Sequence, residues 1–205
     1  QRMCEGGATV LLLEEHAQIG RPFQCAGLVN PEAMRLTGLE STVLSPIWGA
    51  RIHSPSGISV MIGDDQEVRT WSVCRKLFDE GVVKGAMQAG ADIWLSSKPI
   101  SAEEMNDHVL LSITSPKGEM SVRCKLLCGA DGAHSWVRRR FKMGRPKELM
   151  IGFQVEVIGY KGEQGRLDMY TGSGFSPGFF AWAIPSGETT RIGTWSKPEL
   201  MGGES

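Results

Sequence analysis

The stretch Cys128-Gly129-Ala130-Asp131-Gly132-Ala133-His134-Ser135-Trp136-Val137-Arg138-Arg139-Arg140 decides how this chain is read. Apolar residues 126–128 read as a strand running into it, and the arginine-rich residues after Ser135 read as a helix. Two glycines around Asp131 let the backbone turn sharply and come close to a ligand. The first N–H groups of the helix find no partner inside it, and would face a phosphate or ribose lying there. Alone, a Gly-Ala-Asp-Gly turn is a weak signal, because strand-to-helix turns of this composition are common. The rest of the chain gives it weight.

With 205 residues the chain has room for one domain or two small ones. At this size roughly 70% of the unfolded surface is buried on folding, so a core needs no disulfide or metal. Basic and acidic side chains number 22 and 23, for a net charge of −1. That balance argues against nucleic acid as a partner, which asks for a strongly basic face. The cysteines, Cys4, Cys25, Cys74, Cys124 and Cys128, are odd in number and lack a framework spacing. Reduced thiols in a cytosolic compartment are therefore expected. No apolar run approaches the ~20 residues of a membrane span, so a protein in solution or on a membrane surface is expected. Residues 1–7 read as the end of a helix with a glycine stop, and Met201-Gly202-Gly203-Glu204-Ser205 as a polar tail. The expectation is an internal piece of a longer protein, truncated at both ends.

Residues 8–13 form a continuous apolar run of the kind found in parallel strands buried on both faces. An irregular segment follows, and Asn30-Pro31-Glu32 then reads as a capped helix start. Residues 47–69 alternate apolar and polar around turns at 54–57 and 63–65, a pattern of antiparallel strands. Residues 75–89 read as a helix stopped by Gly90, with Leu77, Phe78 and Met87 inward, and residues 91–95 as a strand. Residues 109–114 and 120–127 read as a hairpin feeding the Asp131 turn; residues 151–158, 166–170, 179–184 and 190–195 read as a second sheet. Two interleaved α/β domains are predicted: parts 1–45 and 73–147 of one, parts 46–72 and 148–205 of the other.

Four features could carry chemistry. Glu14 ends a strand where, in a dinucleotide-binding βαβ unit, a carboxylate accepts from ribose hydroxyls; it could equally mark a solvated strand end. Cys25-Ala26-Gly27-Leu28 is a loop whose small residues would admit a flat ring, or it holds an ordinary buried cysteine. Arg75 opens a helix whose N-terminus is already partly positive, so it calls for an anion: a pyrophosphate, or Asp79 one turn on. Phe180, Trp182 and Ile184 share one strand face by the two-residue period, as sheet core or as a pocket wall. Cys124 and Cys128 read as one face of a strand, with no histidine nearby to complete a zinc set, and no metal is expected. Arg138-Arg139-Arg140 reads as a solvated face, or as one that meets anionic lipid head groups.

In this order the features resemble the geranylgeranyl reductase family of flavoproteins, archaeal digeranylgeranylglycerophospholipid reductases in particular. The resemblance rests on Val10-Leu11-Leu12-Leu13-Glu14, Ile19-Gly20-Arg21-Pro22-Phe23-Gln24-Cys25, Arg75-Lys76-Leu77-Phe78-Asp79, Gly129-Ala130-Asp131-Gly132 with Ser135, and residues 177–185 followed by Ile192-Gly193. It implies an FAD-binding Rossmann-like domain of the aromatic-hydroxylase type, interleaved with an antiparallel β-sheet substrate domain that covers the isoalloxazine ring. Glu14 would hold the adenosine ribose, and Cys25, Ala26, Gly27 and Leu28 would form the loop beside the flavin. Arg75 would lie near the pyrophosphate, and Asp131 and Gly132 would support the cofactor from the far side. Phe180, Trp182 and Pro185 would line an isoprenoid tunnel.

The implied reaction is reduction of C=C bonds in geranylgeranyl chains of membrane lipids, with NAD(P)H or ferredoxin as donor and Cys25 nearest the chemistry. A cytoplasmic protein, peripheral on the inner face of the membrane, is the matching expectation. Ser186 stands where the family usually has lysine, and Ile184 where an aromatic is usual. The family's phosphate-loop glycines would precede Gln1, and its Gly-Asp-Ala segment would follow Ser205. The rival readings are a flavin-dependent monooxygenase or halogenase of the same fold, and an isoprenoid-binding protein without flavin.

Overall fold

The computed structural model describes residues 1–200; Met201 to Ser205, read above as a polar tail, lie outside the described residues. Along the chain run α1 (Arg2–Glu5), β1 (Leu11–Leu13), β2 (Leu28–Val29), α2 (Pro31–Thr37), β3 (Val43–Ile47) and β4 (Gly49–His53). Next come β5 (Ser59–Gly63), β6 (Thr70–Val73), α3 (Arg75–Gln88), β7 (Asp92–Trp94), β8 (Lys98–Glu104), β9 (Val109–Ser115) and β10 (Gly118–Cys124). The rest are α4 (Trp136–Arg140), β11 (Ile151–Val157), β12 (Arg166–Thr171), β13 (Phe180–Ser186) and β14 (Thr189–Ser196). The chain divides into two interleaved compact units, Gln1–Arg21 with Val82–Lys147 and Pro22–Gly81 with Glu148–Ser205. Residues 22–45 and 73–81, read from the sequence with the first domain, group with the second unit.

In the first unit β1 and β7 pair in parallel, Leu11 with Asp92 through Leu13 with Trp94. The ladder runs one residue on, since the Glu14 N–H donates to the Trp94 carbonyl at 2.9 Å. Strand β1 is shorter than the apolar run and is not sealed on both faces: Leu12 is 40% exposed. A separate antiparallel sheet, β10-β9-β8, packs Ala102, Leu111 and Ile113 into a core that Leu13, Trp94, Leu127 and Trp136 flank. Fully burying Ile113 stabilises this core by about 1.5–3 kcal/mol. Residues 126–128 are not a strand, although they are apolar; Leu126 and Cys128 are exposed. Cys124 therefore closes β10 while Cys128 lies beyond it, and the two do not share a strand face.

The second unit holds a three-stranded sheet, β2-β6-β3, and a six-stranded sheet, β11-β14-β13-β12-β4-β5. Five-residue β4 pairs antiparallel with β5 but parallel with β12, so the sheet is mixed rather than wholly antiparallel. A parallel pair needs a long crossover, and here the chain between β4 and β12 includes the Val82–Lys147 segment of the first unit. Buried Ser72 of β6 and Ser186 of β13 meet hydroxyl to hydroxyl at 2.9 Å, which joins the two sheets. Helix α2 begins as its sequence demands: Asn30 accepts from the Ala33 N–H at 2.7 Å and Pro31 is the first helical residue. Val29, Met34 and Val73 form the core beneath it, with Phe78 of α3 against them. Leu77 and Met87, expected inward, are exposed.

Candidate functional site

Glu14 sits at the carboxyl end of β1, held there by the bond to Trp94 and by the Ser97 N–H, which donates to its carbonyl at 2.9 Å. Its Oε1 accepts from the His16 N–H at 2.8 Å and lies 2.7 Å from His16 Nδ1. Oε2 has no hydrogen-bond partner among the described residues, so a partly exposed acceptor is left open at the end of β1.

The Asp131 turn departs from its reading. Helix α4 has five residues, and its first N–H groups are already taken. Asp131 Oδ2 accepts from Trp136 N–H at 2.6 Å and Val137 N–H at 3.2 Å, and Ser135 Oγ accepts from Arg138 N–H at 3.0 Å. These donors cap the helix internally instead of facing a phosphate. Partial burial works to raise the Asp131 pKa, but hydrogen bonds from the Ser135 side chain and from Val137 and Trp136 outweigh it and hold the carboxyl below its ordinary value. Gly132 has φ +75, a left-handed conformation, and no atom lies within 4 Å of where its Cβ would stand. A shallow cavity of about 390 Å³ opens beside it, lined by Gly129, Gly132, Ser135, Arg138 and Met143 among others. Leu13, next to Glu14, and Trp136, capped by Asp131, flank one and the same core cluster.

In the second unit, three consecutive carbonyls of the Cys25 loop are tied down. Gln154 Nε2 donates to Cys25 O at 3.2 Å, Arg191 Nη1 to Ala26 O at 3.1 Å, and Val73 N–H to Gly27 O at 2.9 Å. Gly27 has φ +77, and a Cβ there would collide with the Arg191 guanidinium. The glycine is thus explained by packing on Arg191 as well as by its backbone conformation. Leu28 begins β2 and keeps its side chain exposed. Cys25 Sγ accepts from the Gly27 N–H at 3.4 Å and from Arg75 Nη1 at 2.9 Å.

Arg75 finds its anion one turn along its own helix. Nε and Nη2 reach Asp79 Oδ1 at 3.0 and 2.8 Å, and Nη2 reaches Oδ2 at 3.0 Å. Burial works to lower its pKa, but Asp79 and Cys25 outweigh that and raise it. The electrostatic conflict read from the sequence is therefore met inside the protein, and most of the guanidinium's donors are occupied.

One face of the six-stranded sheet is aromatic. Phe180 meets Trp182 edge-on at 6.4 Å, Trp182 meets Trp195 edge-on at 5.9 Å, and Phe179 stacks on both Phe180 and Trp195, at 4.3 and 5.4 Å. Trp182 pairs in register with Gly193, whose missing side chain leaves room for the indole. Indole Nε1 donates to Gln154 Oε1 at 3.2 Å, which links this face to the Cys25 carbonyl through one side chain. Pro185 does not belong to the set. In the regular register of β13 it falls on the other face, with Ala181 and Ala183, because side chains alternate.

Arg191 escaped the sequence reading. It is 3% exposed, and a buried charge requires partners. Its Nε donates to Glu156 at 2.9 Å, Nη1 serves Ala26 O and, at 3.0 Å, Val73 O, and its guanidinium lies 4.7 Å from the Phe23 ring centroid. The available signal was an arginine within a strand that carries no other charge, in phase with Gly193 and Trp195.

The FAD binding domain family matches residues 3–170, and the chain belongs to it. The cofactor of that family is FAD, carried on a mixed α/β fold. Digeranylgeranylglycerophospholipid reductase 2 of Methanothermobacter thermautotrophicus is 31% identical over 191 residues, which cover 89% of this chain and 49% of that protein. The chain thus spans about half the length of the curated relatives it matches. Among solved structures, a geranylgeranyl bacteriochlorophyll reductase-like protein of Thermoplasma acidophilum superposes with a TM-score of 0.84 at 22% identity, covering 96% of this chain and 52% of that one. The p-nitrophenol 4-monooxygenase of Pseudomonas putida superposes with 0.72 at 15% identity, covering 97% and 54%. At such identities the two structures share the fold.

Proposed function

We propose that the protein containing this chain is an FAD-dependent oxidoreductase that reduces C=C bonds in geranylgeranyl chains of membrane lipids or related prenyl compounds. The observation that carries this reading is the tethered Cys25 loop, joined through Gln154 to an aromatic sheet face. In the first unit Glu14, Asp131 and Gly132 are the residues that would hold FAD; in the second, Cys25, Ala26, Gly27, Leu28 and Arg75. Glu14, Gly132 and the Cys25 loop fit such a group, whereas Asp131 and Arg75 are engaged inside the protein. Glu14 keeps a free acceptor oxygen, Gly132 has open space on its Cα, and the loop's carbonyls are bonded away to the sheet. Flavin, when bound, supplies hydride.

The chain's own residues must do the rest by positioning, because an isolated alkene offers no carbonyl for hydrogen-bond donors to grip. Phe180 and Trp182 present an apolar, water-excluding wall to a prenyl chain, and Pro185, on the opposite face, is left out of it. Cys25 is the side chain we place nearest the reacting carbons, where it shapes the site or passes a proton. NAD(P)H or ferredoxin would reduce the flavin. No helix among the described residues is long and apolar enough to cross a membrane; access to lipid would come by peripheral attachment at the inner membrane face, with Arg138-Arg139-Arg140 toward anionic head groups.

The test is turnover of a geranylgeranyl lipid by the full-length protein and its Cys25→Ala variant. A loss of about 10²-fold or more supports the assignment, and unchanged turnover removes Cys25 from the mechanism. A monooxygenase of the same fold would instead consume oxygen in step with a hydroxylated product.

A further inference from the structure

We propose that Arg191 is the positioning residue of this site, holding residues 23–28 in the one shape that sets Cys25 against Arg75; the proposal rests on the FAD-dependent reading above. Its guanidinium is nearly inaccessible and makes every contact a loop clamp needs. Nη1 reaches the Ala26 carbonyl inside the loop at 3.1 Å and the Val73 carbonyl at the end of β6 at 3.0 Å. Val73 is two residues before Arg75, so a single side chain ties the loop to the strand end that launches α3. The Phe23 ring covers the guanidinium from the loop's entry, and Gly27 packs where a Cβ would displace it. Nε meets Glu156, whose side chain is half exposed, so the charge is neutralised from the solvent side.

A lysine cannot do this. Its ammonium is a point charge without the flat fork that serves a carboxylate on one edge and two carbonyls on another. Loss of the clamp frees the Ala26 carbonyl and leaves the loop tied to β6 by the Val73 N–H bond to Gly27 O, which holds the 2.9 Å relation between Arg75 and Cys25 less firmly. Displacements of an ångström at a reacting centre cost on the order of 10²-fold in rate. Arg191 touches neither substrate nor cofactor in this scheme; it acts through the loop.

The experiment uses the full-length, FAD-loaded protein and two readouts: amide hydrogen exchange over residues 23–29, and kcat and KM for a geranylgeranyl lipid. Arg191→Lys is expected to speed exchange in that segment about tenfold or more while the rest of the unit stays protected, and to lower kcat by about 10²-fold with KM little changed. Gly27→Ala, which drives a methyl into the guanidinium's place without removing the charge, is expected to give the same pattern. Ser72→Ala, which breaks a buried hydroxyl pair with Ser186 and leaves the contacts of Arg191 in place, is the control for general loosening. Unchanged exchange in both loop variants, or the same kcat loss in Ser72→Ala, overturns the proposal. A wild-type protein that holds FAD but leaves the lipid untouched contradicts the functional reading instead, and the exchange data still decide Arg191.

Discussion

Arg75 Nη1 lies 2.9 Å from Cys25 Sγ, joining residues 50 positions apart in the chain. The same guanidinium grips Asp79 with its other edge, so the cation is fixed rather than free to swing. Arg75→Gln removes the donor that holds the Cys25 side chain and is expected to change the rate of its alkylation by iodoacetamide several-fold, followed by peptide mass spectrometry. The partly exposed pair with Asp79 is worth under about 1 kcal/mol, so the melting temperature should move little. Unchanged alkylation would mean the contact does not govern the sulfur.

Asp131 is a helix cap before it is anything else. Its carboxylate accepts two N–H groups of α4, and its pKa is held below the ordinary value. A carboxyl with a folded pKa below its unfolded one contributes its full stability above the unfolded value, about 3.9, and loses it as pH falls through the folded value. Asp131→Ala should cost about 1 kcal/mol at neutral pH. The gap in melting temperature between variant and parent should close as pH drops below about 4. A gap that persists in acid would show that charge has no part in the cap.

Gly193 is small because Trp182 lies across it. A Cβ on residue 193 would press on the indole and on the Phe153 carbonyl, and the latter is backbone that cannot swing aside. Gly193→Ala should destabilise by about 1–3 kcal/mol, as overpacking does. Thermal melts and Trp fluorescence read the shift, and a neutral result would refute the packing described.

On the reverse sheet face, buried Asp168 accepts from Tyr160 Oη at 2.8 Å and lies 2.7 Å from His53 Nε2. Burial pushes the Tyr160 phenol well up, with the Tyr170 hydroxyl and Asp168 adding to it. Asp168→Ala takes the partner from the His53 imidazole and leaves the Tyr160 phenol with Tyr170 alone, at about 1–3 kcal/mol. In a spectrophotometric titration of the two tyrosines, the late phenol should then ionise at lower pH. Its retention at high pH would leave burial and the Tyr170 hydroxyl as the cause.

Local chemistry was legible in the residues, and distant pairing was not. Asn30-Pro31 announces α2 because a cap and a fixed φ act within one turn. Strands β13 and β14 show in their alternation. Strand β8 was hidden, since Lys98–Glu104 carries few apolar residues and is a strand through its pairing with β9. Residues 126–128 have the apolar content of a strand but no strand beside them. The parallel match of β4 with β12 spans more than a hundred residues, which no local pattern records. At the site, Glu14, Cys25 and Trp182 stand out by type and place. The role of Arg191 depends on three segments that meet only once the chain is folded.

A flavin that gives hydride to a prenyl double bond must be reoxidised by the lipid alone. Full-length protein with chemically reduced FAD, kept free of oxygen, should be mixed with a geranylgeranyl glycerophospholipid while the flavin absorbance and the lipid mass are followed. The expected result is return of the oxidised flavin bands in step with a gain of two hydrogens for each bond reduced. A flavin that stays reduced beside an unchanged lipid, and reoxidises only when oxygen is admitted, would contradict it.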